Sequence, residues 1–251
     1  MQYARSIVGQ TAMKIAQQGL GERAMVLAAG LGTRMRSLTK TTPKPLIKVA
    51  GKPIIEYGFD HLRKANISNV VVNAHYLSEQ IIAWCKTFSS PNVTISDETG
   101  AILDTGGGIL KAIDHLGSAP FFVLNSDCFW TDQKESALER LRSEWNDEKM
   151  DCLLLLIDPA HTSGYDGDGD FIIGSEGRLK RQNKNALAYI GVYLVHPRLF
   201  VGAPQGKFSM NLLWDRAIAA GRLFGIAHNG HWFHVGTPEA IAIAEAKLNQ
   251  V

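Results

Sequence analysis

Two cationic side chains follow a glycine turn near the start of the chain. A short apolar run begins at Met25, and Gly30 and Gly32 then lead into Arg34. Glycine has no Cβ, so backbone N–H groups in such a turn can approach an anion closely. Lys44 lies between two prolines, which fix φ and stiffen the backbone that carries the amine. A bent backbone with two cations suits a polyphosphate ligand.

The glycine turn matches neither of the common nucleotide-binding loops. A dinucleotide fingerprint requires a third glycine where Met35 stands, and no Lys-Ser/Thr pair follows a glycine as a P-loop requires. The glycines alone could form an ordinary turn between a strand and a helix. Arg34 and the Pro43-Lys44-Pro45 segment favour a phosphate site instead.

A carboxylate stands at the end of a second apolar run. Residues 121–126 precede Asp127, which places its side chain at the carboxyl end of a buried strand. Open α/β sheets bind their ligands at that edge. The position suits Mg²⁺, which takes one or two carboxylates together with substrate phosphates. The alternative is that Asp127 only caps the following turn.

The Asp-Gly-Asp-Gly-Asp run at residues 166–170 resembles the start of a calcium loop. An EF-hand needs a glycine after the third acidic residue and a glutamate at its end, where this chain has Phe171 and Gly177. A mobile acidic turn is the better interpretation.

Strand-like apolar runs alternate with helix-periodic stretches, which predicts a mostly parallel sheet covered on both faces. The predicted strands are residues 24–28, 70–73, 93–96, 121–124, 153–157, 171–173, 179–181, 187–194 and 232–235. The predicted helices are residues 54–65, 78–88, 107–115, 134–145 and 210–220, with a closing helix from Pro238. We find no internal repeat or low-complexity linker, so residues 22–251 are expected to form one domain.

The amino-acid composition limits the classes to which the protein can belong. The chain has 251 residues, of which 45% are hydrophobic, so it can bury a sizeable α/β core. Its net charge of +2 gives no basic stripe for nucleic acid, and no apolar run reaches the ~20 residues that span a bilayer. Three scattered cysteines favour a reducing cytoplasm. Residues 1–21 lack the apolar core of a secretory signal and are interpreted as an N-terminal extension.

The ordered motifs resemble the sugar-1-phosphate nucleotidyltransferases, also called nucleotide-sugar pyrophosphorylases. The resemblance rests on the LAAGLGTRM and TPKPL runs, and continues through VAGKPIIEY, DTGGGI, LNSD and WFHVGT. It covers the chain from about residue 24 to the C-terminus. Within the family, the short length and the TGGGI run are most similar to the N-acetylmuramate 1-phosphate uridylyltransferases.

The resemblance implies a fold, a reaction and a set of site residues. The implied fold is a GT-A-like α/β domain with a mostly parallel, Rossmann-like mixed sheet and helices on both faces. The implied reaction joins a nucleoside triphosphate to a sugar 1-phosphate with Mg²⁺, or Mn²⁺ as an alternative, and releases pyrophosphate. Arg34, Lys44 and Asp127 are the expected catalytic residues, with Asp127 on the metal.

The remaining site residues divide between nucleotide and sugar phosphate. The expected nucleotide-binding residues are Leu27, Ala28, Ala29, Gly30, Gly32, Thr33, Arg34, Lys44, Asn73, Glu98 and Gly106. The expected sugar-phosphate-binding residues are Gly107, Asn125, Asp170, Tyr189 and Gly191. The glycine run at residues 106–108 is expected to present its backbone to the base. For Glu98, a solvated loop acid is the alternative.

His234 departs from the family pattern, which has a second metal-binding aspartate at this position. Imidazole is a poor Mg²⁺ ligand and a better one for Mn²⁺ or Zn²⁺. His234 could bind a softer metal, hold a metal-bound water or touch only phosphate. A structural histidine without a ligand role is a further alternative.

The function predicted first is uridylyl transfer to N-acetylmuramate 1-phosphate, a cell-wall recycling step. Mannose-1-phosphate guanylyl transfer and a glucose 1-phosphate enzyme are the alternatives within the class. From another class, the chain could be a non-catalytic nucleotide-sugar sensor that lost the second carboxylate. The expected partners are the two substrates, without nucleic acid or membrane, and the expected state is a monomer or a homodimer.

Overall fold

A computed structural model describes residues 19–250 of the chain. The predicted N-terminal extension over residues 1–21 lies mostly outside the described residues. Fourteen strands are present in the described part. They are β1 (Arg23–Leu27), β2 (Lys48–Val49), β3 (Lys52–Pro53), β4 (Asn69–Ala74), β5 (Asn92–Asp97), β6 (Phe121–Asn125), β7 (Cys128–Thr131), β8 (Cys152–Ile157), β9 (Thr162–Ser163), β10 (Phe171–Ile173), β11 (Leu179–Arg181), β12 (Ala188–Val195), β13 (Leu223–Ala227) and β14 (His231–His234).

Seven of these strands form the central sheet, in the order β13–β8–β12–β6–β1–β4–β5. Only β12 runs antiparallel to its neighbours in this sheet. The mixed, mostly parallel sheet confirms the predicted fold class. A small second sheet, β7–β14–β9, lies beyond the end of β6. It was only partly predicted, because β7 and β9 depend on pairing with β14, which local sequence does not reveal.

Within residues 19–250, six α-helices cover the central sheet and its edges. They are α1 (Ile54–Lys64), α2 (Ser78–Cys85), α3 (Asp104–Leu116), α4 (Ala137–Glu144), α5 (Met210–Ala219) and α6 (Pro238–Leu248). The predicted helix over residues 107–115 was wrong at its start, because α3 begins three residues earlier at Asp104. Ser136 begins α4 as its N-cap, where its hydroxyl accepts a hydrogen bond from the Glu139 backbone N–H.

The sheet buries apolar side chains on both faces because successive residues of a strand point in opposite directions. In β1, Ala24 and Val26 pack with α1, α2 and α4, whereas Met25 packs with α3 and α5 on the other face. A third cluster lies beneath the small sheet and α6, with Met35, Phe129 and Phe233 at its centre. Helices on both faces leave the carboxyl edge of the parallel strands as the open edge.

Candidate functional site

Three adjacent strands end at the same level and bring polar side chains together. Leu27, the last residue of β1, pairs in register with Asn73 of β4 on one side and Asn125 of β6 on the other. All three residues line one pocket of about 410 Å³. The parallel register therefore builds the floor of the pocket from residues distant in sequence.

The loop after β1 supplies one wall of this pocket. Gly32 adopts a left-handed conformation with φ of 62°, and a Cβ there would lie 2.9 Å from both Lys44 Cβ and Thr39 Cγ2. Glycine at this position therefore lets the loop close against Lys44. A Cβ at Gly30 would have no neighbour within 4 Å, so the space in front of Gly30 is open to a ligand.

Lys44 and Asp127 form an ion pair at the floor of the pocket. Nζ of Lys44 donates to Oδ2 of Asp127 across 2.8 Å. The Lys44 side chain is 9% exposed and that of Asp127 is 35% exposed, so both line the pocket and the carboxylate is the more open of the two. Burial raises the pKa of Asp127, but Lys44, His234 and Arg34 outweigh this effect and lower it below the usual range. Asp127 is therefore ionised at neutral pH.

His234, on β14, lies behind the pocket wall rather than in its lining. A Cβ at Gly236 would lie 3.1 Å from Cε1 of His234 and 3.4 Å from a guanidinium nitrogen of Arg34, so glycine lets the loop pass between the two side chains. Nδ1 of His234 is buried and has no hydrogen-bond partner among residues 19–250. Burial lowers the pKa of His234, and Lys44 and Arg34 lower it further, against the opposing effects of Asp127 and of the Gly164 backbone. The ring is therefore neutral at pH 7.

Asn73 and Glu98 form a buried pair. Oδ1 of Asn73 accepts from the Ala28 backbone N–H at 2.7 Å, and its Nδ2 donates to Oε1 of Glu98 at 2.7 Å. Glu98 is 1% exposed, so it is not a solvated loop acid, and burial raises the pKa of its carboxyl. The pair holds the backbone at the start of the phosphate loop and still lines the pocket.

The glycine run lies in the first turns of α3 and not in a loop. The backbone N–H groups of Gly106 and Gly107 donate to the carbonyl of Phe208, so they do not point at the pocket. A Cβ would lie 2.2 Å from the Phe208 ring at Gly106, and 2.7 Å from Oε1 of Glu98 at Gly108. Close packing therefore explains these glycines. Gly106 and Gly107 stand outside the lining of both pockets.

A second pocket of about 220 Å³ adjoins the first. The two pockets share the side chains of Leu27, Asp104, Thr105 and Asn125. Asp170 and Tyr189 line the smaller pocket, where Oδ2 of Asp170 accepts from the Tyr189 backbone N–H at 2.9 Å. Gly191 is not part of the pocket lining and has φ of 82°. A Cβ there would lie 2.8 Å from Cys128 Sγ and 3.0 Å from Asn125 Cβ, so close packing requires glycine at this position.

The structure gathers most of the predicted site residues. The larger pocket is lined by predicted residues Leu27, Ala29, Gly30, Gly32, Thr33, Arg34, Lys44, Asn73, Glu98, Asn125 and Asp127. Ala28 is buried beneath them. Sequence reasoning missed Thr105 and Lys207 in the larger pocket and Arg181 in the smaller one. Lys207 and Arg181 carry no motif, and only the fold brings them to the site.

The residues present fit a divalent cation that arrives with phosphate, and not a cation held by protein alone. Residues 19–250 contain no cluster of three His, Cys, Asp or Glu side chains that could hold a metal. The acidic run at residues 166–170 therefore forms no such site. Asp127 offers one ionised carboxylate to the pocket, which matches the one or two carboxylates that Mg²⁺ takes beside substrate phosphates.

Relatives with similar sequences span nearly the same length. The chain is 39% identical to N-acetylmuramate alpha-1-phosphate uridylyltransferase of Caulobacter vibrioides, over 90% of this chain and 96% of the relative. The enzyme of that name from Neisseria meningitidis is 36% identical, over 89% of this chain and 99% of the relative. Mannose-1-phosphate guanylyltransferase 1 of Arabidopsis thaliana is 28% identical, over 86% of this chain and 62% of the relative.

Solved structures share the fold at low sequence identity. A UDP-glucose pyrophosphorylase complexed with UDP-glucose has a TM-score of 0.75 and 16% identity, over 92% of this chain and 99% of the other. HddC from Yersinia pseudotuberculosis, complexed with GMP-PN, has a TM-score of 0.71 and 19% identity, over 90% of this chain and 99% of the other. The sequence profile described as "Nucleotidyl transferase" matches residues 23–251. The chain therefore belongs to the nucleotidyl transferase family, as its motifs predicted.

Proposed function

We propose that the protein transfers a uridylyl group from UTP to N-acetylmuramate 1-phosphate. The observation that carries this proposal is the joint placement of Arg34, Lys44 and Asp127 around one pocket, with a smaller pocket opening beside Asn125. The larger pocket has room and positive charge for a nucleoside triphosphate. The smaller one suits the sugar of the second substrate.

Two cations with different geometry serve different phosphates. Arg34 is exposed on the loop, and its planar guanidinium can hold the outer phosphates through paired hydrogen bonds. Lys44 is buried and fixed by Asp127, so it supplies a point charge at a set position near the α-phosphate. Positioning and charge neutralisation are the main requirements of phosphoryl-type transfer.

The reaction needs no covalent intermediate on the protein. An oxygen of the sugar 1-phosphate attacks the α-phosphorus, a new P–O bond forms, and the bond to the β-phosphate oxygen breaks. Pyrophosphate leaves with the electron pair of that bond. Arg34 stabilises the negative charge that develops on the leaving group, and Lys44 stabilises charge on the equatorial oxygens of the α-phosphate.

A divalent cation, Mg²⁺ first and Mn²⁺ second, is proposed to accompany the triphosphate. Asp127 would hold it, and His234 would act from behind through a water or a phosphate oxygen. When bound, the cation neutralises phosphate charge as a Lewis acid. Both protein contacts are proposals that rest on the ionised state of Asp127 and the unpartnered Nδ1 of His234.

Pyrophosphate release tests the activity and the substrate choice together. The assay combines each of the four common nucleoside triphosphates with the 1-phosphates of N-acetylmuramate, N-acetylglucosamine, glucose and mannose, in Mg²⁺ and in Mn²⁺. We expect the highest kcat/KM for UTP with N-acetylmuramate 1-phosphate. Preference for GTP with mannose 1-phosphate would favour the activity named for the 28%-identical plant relative. Nucleotide-sugar binding without pyrophosphate release in either metal would favour a sensor.

The cytoplasm is the proposed location. Cys85, Cys128 and Cys152 are buried and free, as in proteins kept reduced. In the described part of the chain, the helices are all too short or too polar to cross a bilayer.

A further inference from the structure

Arg181 is a cation in the smaller pocket that the proposed transfer chemistry does not use. It is the last residue of β11 and lines this pocket together with Asn211 of α5. The side chain is 40% exposed, so its charge is accessible to a ligand. Arg34 and Lys44 in the larger pocket already serve the phosphates of the triphosphate. Arg181 is therefore available to contact the sugar.

The guanidinium of Arg181 is held in a fixed orientation by three neighbours. Nε donates to Oδ1 of Asp215 at 2.6 Å, and Nη2 donates to Oδ1 of Asn211 at 2.9 Å. The guanidinium carbon lies 5.1 Å from the centre of the Phe171 ring. Among residues 19–250, Nη1 has no hydrogen-bond partner. Side-chain entropy lost on binding is small for a group already held in this way.

The carboxylate that balances Arg181 stands outside the pocket. Asp215 is on α5 behind the guanidinium, is itself 59% exposed and does not belong to the pocket lining. Asp170 lines the same pocket and already accepts a hydrogen bond from the Tyr189 backbone N–H. Asp170 therefore suits sugar hydroxyl groups, whereas the free edge of Arg181 suits an anion.

We infer that Arg181 determines specificity by binding a carboxylate carried on the sugar of the second substrate. This inference rests on the proposed function and adds the residue that selects acidic over neutral sugar 1-phosphates. Neutral sugar 1-phosphates fit the same pocket without that contact. A guanidinium and a carboxylate form charge-assisted hydrogen bonds, so the contact separates an acidic sugar from its neutral counterpart.

The test compares N-acetylmuramate 1-phosphate with N-acetylglucosamine 1-phosphate, which has a hydroxyl group in place of the lactyl ether that bears the carboxylate and is otherwise identical. The measured quantity is the ratio of the two kcat/KM values with UTP. We expect Arg181→Met to lower this ratio at least about tenfold, mainly through KM for the acidic sugar, as expected for loss of one charged hydrogen bond. Arg181→Lys should restore part of the ratio because it restores the charge.

Asp215→Asn is the matched variant that separates recognition from packing. It weakens the same ion pair from the other side and leaves the positive charge of Arg181 uncompensated. Recognition of a carboxylate predicts an unchanged or higher ratio in Asp215→Asn. If instead both variants lower the ratio equally, the pair is structural and the inference is wrong. Equal losses on both sugars in Arg181→Met would also overturn it.

The wild-type protein distinguishes failure of this inference from failure of the proposed function. Pyrophosphate release with the neutral sugar as efficient as with the acidic one would overturn the role of Arg181 and leave nucleotidyl transfer intact. No pyrophosphate release with any sugar phosphate and any triphosphate would overturn both.

Discussion

Nζ of Lys44 lies 2.8 Å from Oδ2 of Asp127, although 83 residues separate them in the chain. The contact joins the loop that follows β1 to the turn that follows β6. It pairs a cation that is almost fully buried with a carboxylate that remains partly open to the pocket. The cation is therefore held at a defined height above the sheet before any substrate binds.

We expect Lys44→Met and Asp127→Asn each to lower kcat at least about a hundredfold, comparable to losing one preorganised charge contact. Lys44→Met removes the charge at the α-phosphate, and Asp127→Asn removes the anchor that fixes it. Steady-state pyrophosphate release measures the effect, and thermal melting shows that each variant is folded. A folded variant with turnover near that of the wild type would contradict the assigned role.

Arg34 and Arg36 provide a matched pair within one loop. Arg34 lines the larger pocket, whereas Arg36 points away and pairs with Glu239 at 2.8 Å on the surface. We expect Arg34→Ala to raise KM for the triphosphate and lower kcat, with kcat/KM down at least about a hundredfold. Arg36→Ala should stay close to wild type because exposed ion pairs contribute little. Similar losses in both variants would show that loop structure, and not phosphate contact, is responsible.

His234→Asp tests the proposed contact between β14 and the cation. A carboxylate is a better ligand than imidazole for Mg²⁺. The Mg²⁺ concentration for half-maximal activity should therefore fall by roughly tenfold, with the Mn²⁺-to-Mg²⁺ activity ratio moving towards Mg²⁺. His231→Gln, on the same strand and bonded to Ser163, is the control. An unchanged ratio in His234→Asp would place His234 away from the cation.

Gly108→Ala tests the packing of α3 against the buried pair. The new Cβ would lie 2.7 Å from Oε1 of Glu98 and 2.9 Å from Nδ2 of Asn73. We expect a loss of about 1–3 kcal/mol in the free energy of unfolding, and a Tm lower by roughly 2–4 °C per kcal/mol. Gly100→Ala is the control, since its Cβ would meet nothing within 4 Å. Equal Tm values for the two variants would contradict the packing argument.

A buried histidine beside the small sheet makes stability depend on pH. Burial lowers the pKa of His228 below 6.5, although its bond to the Thr131 carbonyl and the charge of Asp132 oppose this. Burial raises the pKa of Asp132, but the hydrogen bond and charge of His61 outweigh it, so that it lies below 3.8. In both cases the unfolded chain binds protons more readily than the folded one.

This difference in proton binding sets the direction in which stability changes with pH. Each group makes its full contribution to the free energy of unfolding above its unfolded pKa. That contribution falls as the pH drops, starting at about pH 6.5 for His228 and about pH 4 for Asp132. We therefore expect Tm to fall between pH 7 and pH 5, and to fall less in His228→Gln, which cannot take up the proton. Melting curves across this range measure the effect. The same slope in both proteins would exclude a contribution from His228.

Much of the fold could be predicted because long apolar runs identify buried strands. The run over β8 is buried at every residue and was predicted to within one residue. Short strands such as β7 and β9 gained their structure from pairing with β14, which local sequence does not reveal. The start of α3 was missed for a related reason. Asp104, Thr105 and Gly106 have low helix propensity, and packing of Gly106 against Phe208 overcomes that preference.

The site was predictable where a residue type alone indicates chemistry. Arg34 could be named as a cation after a glycine turn, Lys44 as a cation between two prolines, and Asp127 as a carboxylate at a strand end. Their direct contact could not, because it depends on β6 lying next to β1 in the sheet. Arg181 and Lys207 come from the second half of the chain. Their motif-free surroundings gave no reason to connect them to the phosphate loop.

In the first turn of α3, the carbonyl of Phe208 accepts from the Gly106 and Gly107 amides, and Oδ1 of Asp104 accepts from the Thr105 amide and adds a negative charge. A helix terminus closed in this way cannot serve as the anion receptor it provides in many α/β proteins. Attraction of the triphosphate then depends on exposed charge such as that of Arg34. We therefore expect added salt to slow association of the triphosphate far more than it slows the bond exchange itself.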